Sequence, residues 1–367
     1  MTINELLAHI NGFAPFLLQE DYDNSGLLVG EPHRKVSKGL ITLDLTEDVL
    51  DEAVKNKCDV VISHHPFIFE GLRAITGNKL AERLLVKAIK NNLAIIAVHT
   101  NLDIVNTGVN RKMCSLIGLE NTRVLSPKKG LLKKLVVFCP TEHADKVRMA
   151  IFKAGGGKIG DYDWCSFNIE GKGSFRAGEG ANPYVGNVNE LHFEEEVRVE
   201  TIYPVYIEKE IIDAMIEAHP YEEVAYDLYP LDNDYDRVGA GMIGQFDLPL
   251  QVKDFLSLLE KKFNTGIIRY SAGSKNEIKS VALCGGSGSF LIDKAIAANA
   301  DAFITADVKY HMFFEAKEKI LLTDIGHYES EQFTKELLYE LISKKIINFA
   351  LQISEINTNP VQYFRTK

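Results

Sequence analysis

Hydrophobic positions along the chain switch between helical spacing and short unbroken apolar runs, a pattern typical of α/β proteins. Residues 2 to about 18 have helical spacing, and Thr2 with Glu5 forms a capping box at the start. Further strands and helices alternate at 38–44, 47–56, 60–63, 79–91 and 94–98. This order predicts a parallel sheet with right-handed crossovers.

Near residue 126 the order of elements changes. Strands are predicted at 131–138, 164–170, 197–203 and 224–231, and helices at 144–153 and 208–219. The glycine-rich tract Gly171–Asn189 is expected to be a loop. The order β-α-β-β-α-β is that of a ferredoxin-like α+β domain of about 100 residues. We therefore expect a domain at 127–236 inserted into an α/β domain made of 1–126 and 237–367.

The α/β domain repeats its own pattern. Lys38–Leu43, followed by a helix and the run Cys58–His65, resembles Lys279–Cys284, followed by a helix and the run Ala300–Asp307. The strand that ends at 99–103 has a counterpart that ends at 326–331. Two pseudo-equivalent α/β halves would bring both sets of strand ends to one cleft. Chance similarity between two βαβ units is the alternative interpretation.

Potential metal ligands cluster at these strand ends, where open α/β sheets bind their ligands. The candidate set is His64, His65, Asp103, His327 and Glu331. Adjacent side chains on a strand point to opposite faces, so His64 and His65 would each bind one of two ions held about 3.5–4 Å apart. His327 and Glu331 are four residues apart at the start of a predicted helix that continues to Leu341, so they share a face.

Each cluster alone also has an ordinary explanation. Asp103 could be a cap or turn residue, His327 with Glu331 a solvated pair, and the two adjacent histidines a surface turn. The residues that could orient the ligands are Thr100, Asn101, Asp324, Glu329 and His99. The turn Gly285–Ser289 could bind a phosphate through its backbone amides, or it is a tight turn between strand and helix.

Composition narrows the class of protein. Of the 367 residues, 46% are hydrophobic and 25% charged, and the net charge of −10 with no long basic run argues against a general nucleic-acid binder. The five cysteines are scattered singly, as in a reduced intracellular protein. No signal peptide or membrane span is evident in the sequence, so we expect a cytoplasmic protein.

Four motifs resemble the Nif-three-like family, the bacterial GTP cyclohydrolase 1 type 2 homologs. They are Asp23–Gly30, Ser63–Pro66 (SHHP), His99–Asp103 and Gly326–Glu331 (GHYESE). The resemblance implies two divalent metal ions per subunit, bound by His64, His65, Asp103, His327 and Glu331. Zinc is the first expectation, and iron, manganese and nickel suit the same ligands. The insert resembles the PII/CutA-like domain of longer members of the family, and Tyr22 replaces a tryptophan common in the family.

The resemblance also implies a toroidal homohexamer, a trimer of dimers, with the metal sites facing an interior cavity. The expected function is metal-dependent hydrolysis of a small molecule that is still unassigned, with nucleotides the first class to consider. Glu329, which is not a predicted ligand, is the candidate proton shuttle. The alternative is a non-catalytic metal-binding hexamer that serves as a regulator, scaffold or metal chaperone and binds a partner or nucleic acid.

Overall fold

The computed structural model describes residues 1–364, which contain fifteen strands and twelve α-helices. The strands are β1 (Gly26–Val29), β2 (Lys38–Thr42), β3 (Val60–Ser63), β4 (Ala94–Ala97), β5 (Glu120–Lys128), β6 (Leu132–Pro140), β7 (Phe167–Arg176), β8 (Leu191–Pro204), β9 (Tyr226–Leu231), β10 (Tyr235–Gln251), β11 (Arg269–Ser271), β12 (Glu277–Leu283), β13 (Ala302–Thr305), β14 (Leu321–Asp324) and β15 (Ala350–Ile353).

The α-helices are α1 (Ile3–Asn11), α2 (Glu47–Lys55), α3 (Leu80–Lys90), α4 (Thr100–Asp103), α5 (Val109–Ile117), α6 (Ala144–Lys153), α7 (Glu208–Ala218), α8 (Val252–Phe263), α9 (Ile292–Ala297), α10 (Met312–Ala316), α11 (His327–Glu331) and α12 (Thr334–Ser343). Short 3-10 helices lie at Phe16–Leu18, Thr141–His143, Val205–Ile207 and Ser289–Leu291. Among the described residues, no helix has the length and apolar character needed to span a bilayer.

The chain divides into two units. One consists of Met1–Pro127 with the chain from Asp236 onward, and the other is Lys128–Tyr235. The division separates the mixed α/β part of the chain, which is interrupted in sequence, from a continuous α+β segment.

The first unit contains two sheets, of order β1-β4-β3-β2-β15 and β11-β14-β13-β12-β10-β5. Strands β15, β2, β3 and β4 are parallel, as are β12, β13 and β14, whereas β1, β10 and β11 pair antiparallel with their neighbours. In the first sheet, Leu40, Val61 and Ile95 are buried in one cluster with Leu50 of α2 and Leu84 of α3. Helices thus cover this face of the sheet, which explains why its central strands are almost entirely apolar.

The second unit contains the antiparallel sheet β7-β8-β6-β9 and helices α6 and α7. Its core unites Val137 and Val199 of the sheet with Ile151 of α6 and Ile211 of α7. Because side chains alternate along a strand, the intervening residues of β6 and β8 point to the opposite face of the sheet.

Several predicted elements have different bounds in the structure. The first helix ends at Asn11 instead of about residue 18, and a 3-10 helix follows Pro15, whose ring cannot donate a backbone hydrogen bond. The helix predicted from His327 to Leu341 is two helices, α11 and α12. The two α/β sheets also contain antiparallel pairs, β1 with β4, β10 with β12 and β11 with β14, since periodicity does not report strand direction.

The glycine-rich tract Gly171–Asn189 is not entirely a loop. Its first six residues, through Arg176, continue β7 and pair with β8 from Gly171 opposite Glu196 to Arg176 opposite Leu191. The long partner strand supplies the hydrogen bonds, so pairing overrides the low strand propensity of glycine.

The Thr46 cap gives a simple stability test. Its side chain accepts a hydrogen bond from the Val49 amide at 3.2 Å at the start of α2. Thr46→Ala should lower the free energy of unfolding by about 1 kcal/mol, because that amide loses its partner. Urea denaturation measures the change, with Thr46→Ser as the control that keeps the hydroxyl. Equal midpoints for Thr46→Ala and the unmodified chain would contradict the assigned cap.

Candidate metal centre

Histidines and carboxylates meet where strands of both α/β sheets end. His64 and His65 directly follow β3, and their backbone amides donate to the carbonyl of Leu43. Asp103 ends α4, the short helix that follows β4, and α11 begins three residues after β14. The parallel registers Ser63 with Ala97 and Thr305 with Asp324 align the ends within each sheet. The shared direction of the strands thus brings these side chains close together.

The Nδ1 atom of each candidate histidine has a hydrogen-bonding partner. The pairs are His64 with the Val98 carbonyl (2.7 Å), His65 with Asp44 (2.7 Å) and His327 with Asp307 (2.6 Å). These acceptors favour the tautomer that carries hydrogen on Nδ1 and leaves the Nε2 lone pair free. This is the usual way in which a protein orients histidines that bind metal.

Glu331 lies at the centre of the cluster. Its Oε2 atom is 3.0 Å from Nε2 of His65 and 3.1 Å from Nε2 of His327, and the side chain is 4% exposed. On the other side, Nε2 of His64 lies 3.5 Å from Oδ1 of Asp103. A carboxylate in such a position can bridge two cations, whereas an imidazole cannot.

Two buried atoms of the cluster lack a hydrogen-bonding partner among the described residues. They are Nε2 of His64 and Oδ1 of Asp103. Buried polar atoms nearly always have a hydrogen-bonding partner. Two such atoms that lack one and lie 3.5 Å apart therefore need an explanation. A cation between them would satisfy both, and both are ordinary ligand atoms for zinc and other divalent metals. The residues therefore fit the metal centre implied by their sequence motifs.

Potential ligand atoms fall into three overlapping groups, each with all its atoms within 4.8 Å of one another. The groups are His65–His327–Glu331, His64–Asp103–Glu331 and His64–His65–His99. The first two share Glu331. All five sequence-predicted residues are thus brought together, and the arrangement could hold metal ions.

The close packing of these ionisable groups shifts the pKa values of all three candidate histidines. Burial, and then the charge of His65, lowers the pKa of His64 to about 3. Burial opposes protonation of His65, but hydrogen bonds to Asp44 and Glu331 outweigh it and raise its pKa to about 10. Hydrogen bonds to Asp307 and Glu331 raise the pKa of His327 to about 11.

The two central carboxylates are shifted in opposite directions. Burial would raise the pKa of Glu331, but hydrogen bonds from His327 and His65 hold it well below its usual range. Burial and the nearby charge of Glu331 raise the pKa of Asp103 well above its usual range. A divalent cation would favour the ionised form of both groups.

Four of the five candidate ligands, His65, Asp103, His327 and Glu331, line a cavity of about 770 Å³, and His64 lies buried behind them. Phe67, Phe69 and Phe290 line apolar parts of the wall, and Arg269 adds a cationic group. This volume lies within the range of small-molecule sites, about 300–1,000 Å³. The metal candidates therefore face a space large enough for a substrate.

His99 has a more direct place than the sequence suggested. Its Nδ1 atom is 2.7 Å from Oδ1 of Asp23, and the ring belongs to the third potential ligand group. Sequence reasoning did not identify the carboxylates that orient these histidines: Asp23 for His99, Asp44 for His65 and Asp307 for His327. Asp44 and Asp307 each lie two residues after a strand of the structure, β2 and β13, so the strand-end pattern could have indicated them.

The other suggested orienting residues have separate roles. The Asn101 amide donates to the Ala14 carbonyl at 2.7 Å, and Asp324 accepts from the Val308 amide at 2.9 Å and pairs with Arg269. Glu329 is buried, lines the cavity and accepts a hydrogen bond from Asn359 at 3.1 Å.

The turn Gly285–Ser289 does not offer its amides freely to a phosphate. The amide of Gly285 donates to Asn110 at 2.9 Å, that of Gly286 to Ser330 at 2.9 Å and that of Gly288 to Thr305 at 2.9 Å. Protein acceptors thus take three of the five amides, which supports the tight-turn interpretation.

The fold and site together define a mixed α/β protein with a buried His/Glu cluster that could hold metal ions. Residues 1–360 match the profile of the Duf34/NIF3 family (NGG1p interacting factor 3). The chain is 37% identical over 357 residues to the "GTP cyclohydrolase 1 type 2 homolog" of Bacillus subtilis, covering 96% of this chain and 95% of that protein. The chain therefore belongs to the Duf34/NIF3 family.

Solved structures support the same relationship. A Bacillus cereus protein related to NIF3 has a TM-score of 0.87 at 36% identity, with 99% of each chain covered. The Staphylococcus aureus protein SA1388 has a TM-score of 0.77 at 28% identity, also with 99% of each chain covered. The similarity extends over the complete length of both structures.

Metal binding should release protons. His65 and His327, with pKa values raised to about 10 and about 11, are protonated at neutral pH, and an imidazole must be neutral to bind a metal. The apparent affinity for Zn²⁺ should therefore rise from about pH 6 to about pH 8. Titration calorimetry of metal-free protein in buffers of different ionisation enthalpy measures the released protons. Heats that do not depend on the buffer would contradict this expectation.

Proposed function

We propose that the chain is a dinuclear-metal-dependent hydrolase that acts on a small molecule. The observation that carries this proposal is the unsatisfied pair of His64 Nε2 and Asp103 Oδ1, of which Asp103 lines a substrate-sized cavity. One ion would be held by His65, His327 and Glu331, and the other by His64, Asp103 and Glu331. Zinc is the first candidate, and iron, manganese or nickel would suit the same imidazole and carboxylate ligands.

The chain's own residues would perform three tasks. When bound, the ions supply Lewis acidity for an attack by water. Asp44 and Asp307 hold the ligand rings in orientation through their Nδ1 atoms. Phe67 and Phe69 would provide apolar contacts to the substrate, since both line the cavity. Glu329 would take up the proton from the attacking water on a carboxylate oxygen, since it lines the same cavity.

Nucleotides are the first substrate class to test. The Bacillus subtilis relative is named a GTP cyclohydrolase 1 type 2 homolog. We take the activity in that name as a hypothesis for this chain. Ring opening of a purine nucleotide needs water attack and amide hydrolysis, both of which suit a dinuclear centre. Arg269 in the cavity wall is a potential partner for a phosphate group.

A second candidate is a non-catalytic metal-binding regulator or scaffold. The second unit favours it, because that unit has a cavity of its own, of about 630 Å³. In this case the metal centre would stabilise the fold or sense metal ions, and partners or nucleic acid would bind elsewhere on the protein. Only the hydrolase would turn over a substrate, so a turnover assay distinguishes the two candidates.

Three features of the architecture belong to the same proposal. Elements β6-α6-β7-β8-α7-β9 and the sheet order β7-β8-β6-β9 support a ferredoxin-like, PII/CutA-like insert. The matching parallel strands β2-β3-β4 and β12-β13-β14 support two pseudo-equivalent halves. The family resemblance supports a homohexamer built as a trimer of dimers.

The metal proposal predicts the metal content of matched variants. Protein purified without chelator should contain close to two divalent ions per chain. Glu331→Gln should lose most of both, because Glu331 belongs to both of the groups assigned to the two ions, whereas His64→Ala should lose one, because His64 belongs to only one of those two groups. Elemental analysis of the oligomer isolated by size exclusion measures the content. The control is His33→Ala, an exposed histidine outside these groups.

Metal content below one ion per chain in the unmodified protein would overturn the dinuclear proposal. So would full loading of Glu331→Gln. Light scattering on the same fractions gives the oligomeric mass, which should be six times the chain mass of 41.0 kDa.

Turnover distinguishes the hydrolase from the regulator. Metal-loaded protein should release product steadily from at least one member of a panel of GTP, other nucleotides and phosphoesters. Asp103→Ala should abolish release, and Glu329→Gln should slow it by about 10²-fold or more at full metal content if Glu329 carries the proton. Chromatographic assay of product measures the rate. Full metal loading with no turnover across the panel would favour the regulator.

A further inference from the structure

The unit Lys128–Tyr235 contains a second cavity of about 630 Å³, lined only by residues of that unit. Part of its floor is the face of the sheet opposite the core formed with α6 and α7. There Phe138 of β6 and Ile169 of β7 flank Arg198 of β8, each directly opposite it in register. This cavity is separate from the metal candidates, none of which lines it.

Glycines in β7 make room on this floor. Gly171 lies opposite Glu196, and a Cβ atom built at Gly171 would meet no other atom within 4 Å. At Gly173 a Cβ atom would collide with the carboxylate of Glu196, which leans across the strand. Glycine inside a strand is unfavourable and often marks a close approach by a ligand. The two glycines therefore leave open space beside a carboxylate.

Aromatic rings form much of the wall. The ring of Tyr221 has its centroid 6.2 Å from that of Phe175 and 6.2 Å from that of Tyr184. The Arg198 guanidinium lies 6.0 Å from the centroid of the Phe138 ring. Flat faces of this kind favour stacking with a planar ligand.

The cavity also contains a hydrogen-bond acceptor. Glu196 accepts one hydrogen bond, from the Tyr221 hydroxyl at 3.0 Å, and an ionised carboxylate can accept several. Arg198, two residues along the same strand face, pairs through Nη2 with Glu200 at 2.8 Å. The Glu196 carboxylate can therefore accept a further hydrogen bond from a ligand.

We propose that this cavity binds an amino-substituted planar heterocycle, stacked against the aromatic wall. The exocyclic amino group donates to the Glu196 carboxylate. The proposal is independent of the metal centre, because every group that it uses belongs to the second unit.

The probe is 2-aminopurine, whose fluorescence is quenched by stacking, titrated against the full-length protein. We expect saturable quenching with one site per chain. Gly171→Leu should weaken binding at least tenfold, because its side chain fills the open space. The matched control is Gly71→Leu, which should bind normally: a Cβ atom at Gly71 also meets nothing within 4 Å, and Gly71 does not line the cavity.

A second variant keeps the test decisive if Gly171→Leu does not fold. Glu196→Gln should weaken 2-aminopurine at least fivefold, while competition by unsubstituted purine, which lacks the amino group, should change less than twofold. An equal loss for both ligands would overturn the assigned class of ligand. Absence of saturable quenching, or unchanged binding by folded Gly171→Leu, would overturn the site. A change of oligomeric mass in Gly171→Leu would overturn it too, in favour of a second copy of the chain covering this face.

Metal content separates this proposal from the function of the first unit. Gly171→Leu and Glu196→Gln should contain as much metal as the unmodified protein, whatever their affinity for 2-aminopurine. Glu331→Gln should bind 2-aminopurine normally. Loss of quenching in Glu331→Gln would mean that the probe binds in the metal cavity, which would overturn the proposed second site.

Discussion

The buried carboxylate of Glu331 is the group on which the candidate centre depends. It accepts from His65, which follows a strand of one sheet, and from His327, which follows a strand of the other. A buried carboxylate without a partner is costly, and removing one member of a buried ion pair typically costs about 3–5 kcal/mol. The folded chain without metal therefore needs both imidazoles close to Glu331. These two contacts link strand ends of the two sheets.

Parallel strands explain why the sequence predicted so much of this centre. Their carboxyl ends lie along one edge of a sheet, so polar residues directly after apolar runs converge even when they are distant in sequence. His64 and His65 after β3 and the His327–Glu331 turn after β14 follow this rule. Asp44 and Asp307 also follow strands, but an aspartate in that position is usually a cap or turn residue, and Asp23 precedes β1. Only the folded structure shows that each of them contacts a histidine.

Long-range pairing explains the remaining differences. Strand β15, near the end of the chain, pairs with Lys38–Ile41, a partner that local periodicity cannot identify. Gly171–Arg176 joins a sheet because β8 extends alongside it, although its composition predicts a loop. The amides of Gly285 and Gly286 are taken by Asn110 and Ser330, residues far from the turn in sequence. In each case the deciding partner lies elsewhere in the chain.

The chemistry of the donors limits which ions suit the first cavity. Cys284 also lines it, but its thiol lies against the carbonyl of Gly285 and belongs to none of the potential ligand groups. Burial, and then the charges of Asp103 and Glu331, raises the pKa of this thiol, so a thiolate is disfavoured. The available ligand atoms are imidazole nitrogen and carboxylate oxygen. Such a set suits borderline divalent ions and does not select the soft ions that thiolates prefer. Glu331 belongs to two of the potential ligand groups, so its carboxylate would be shared if both groups held an ion.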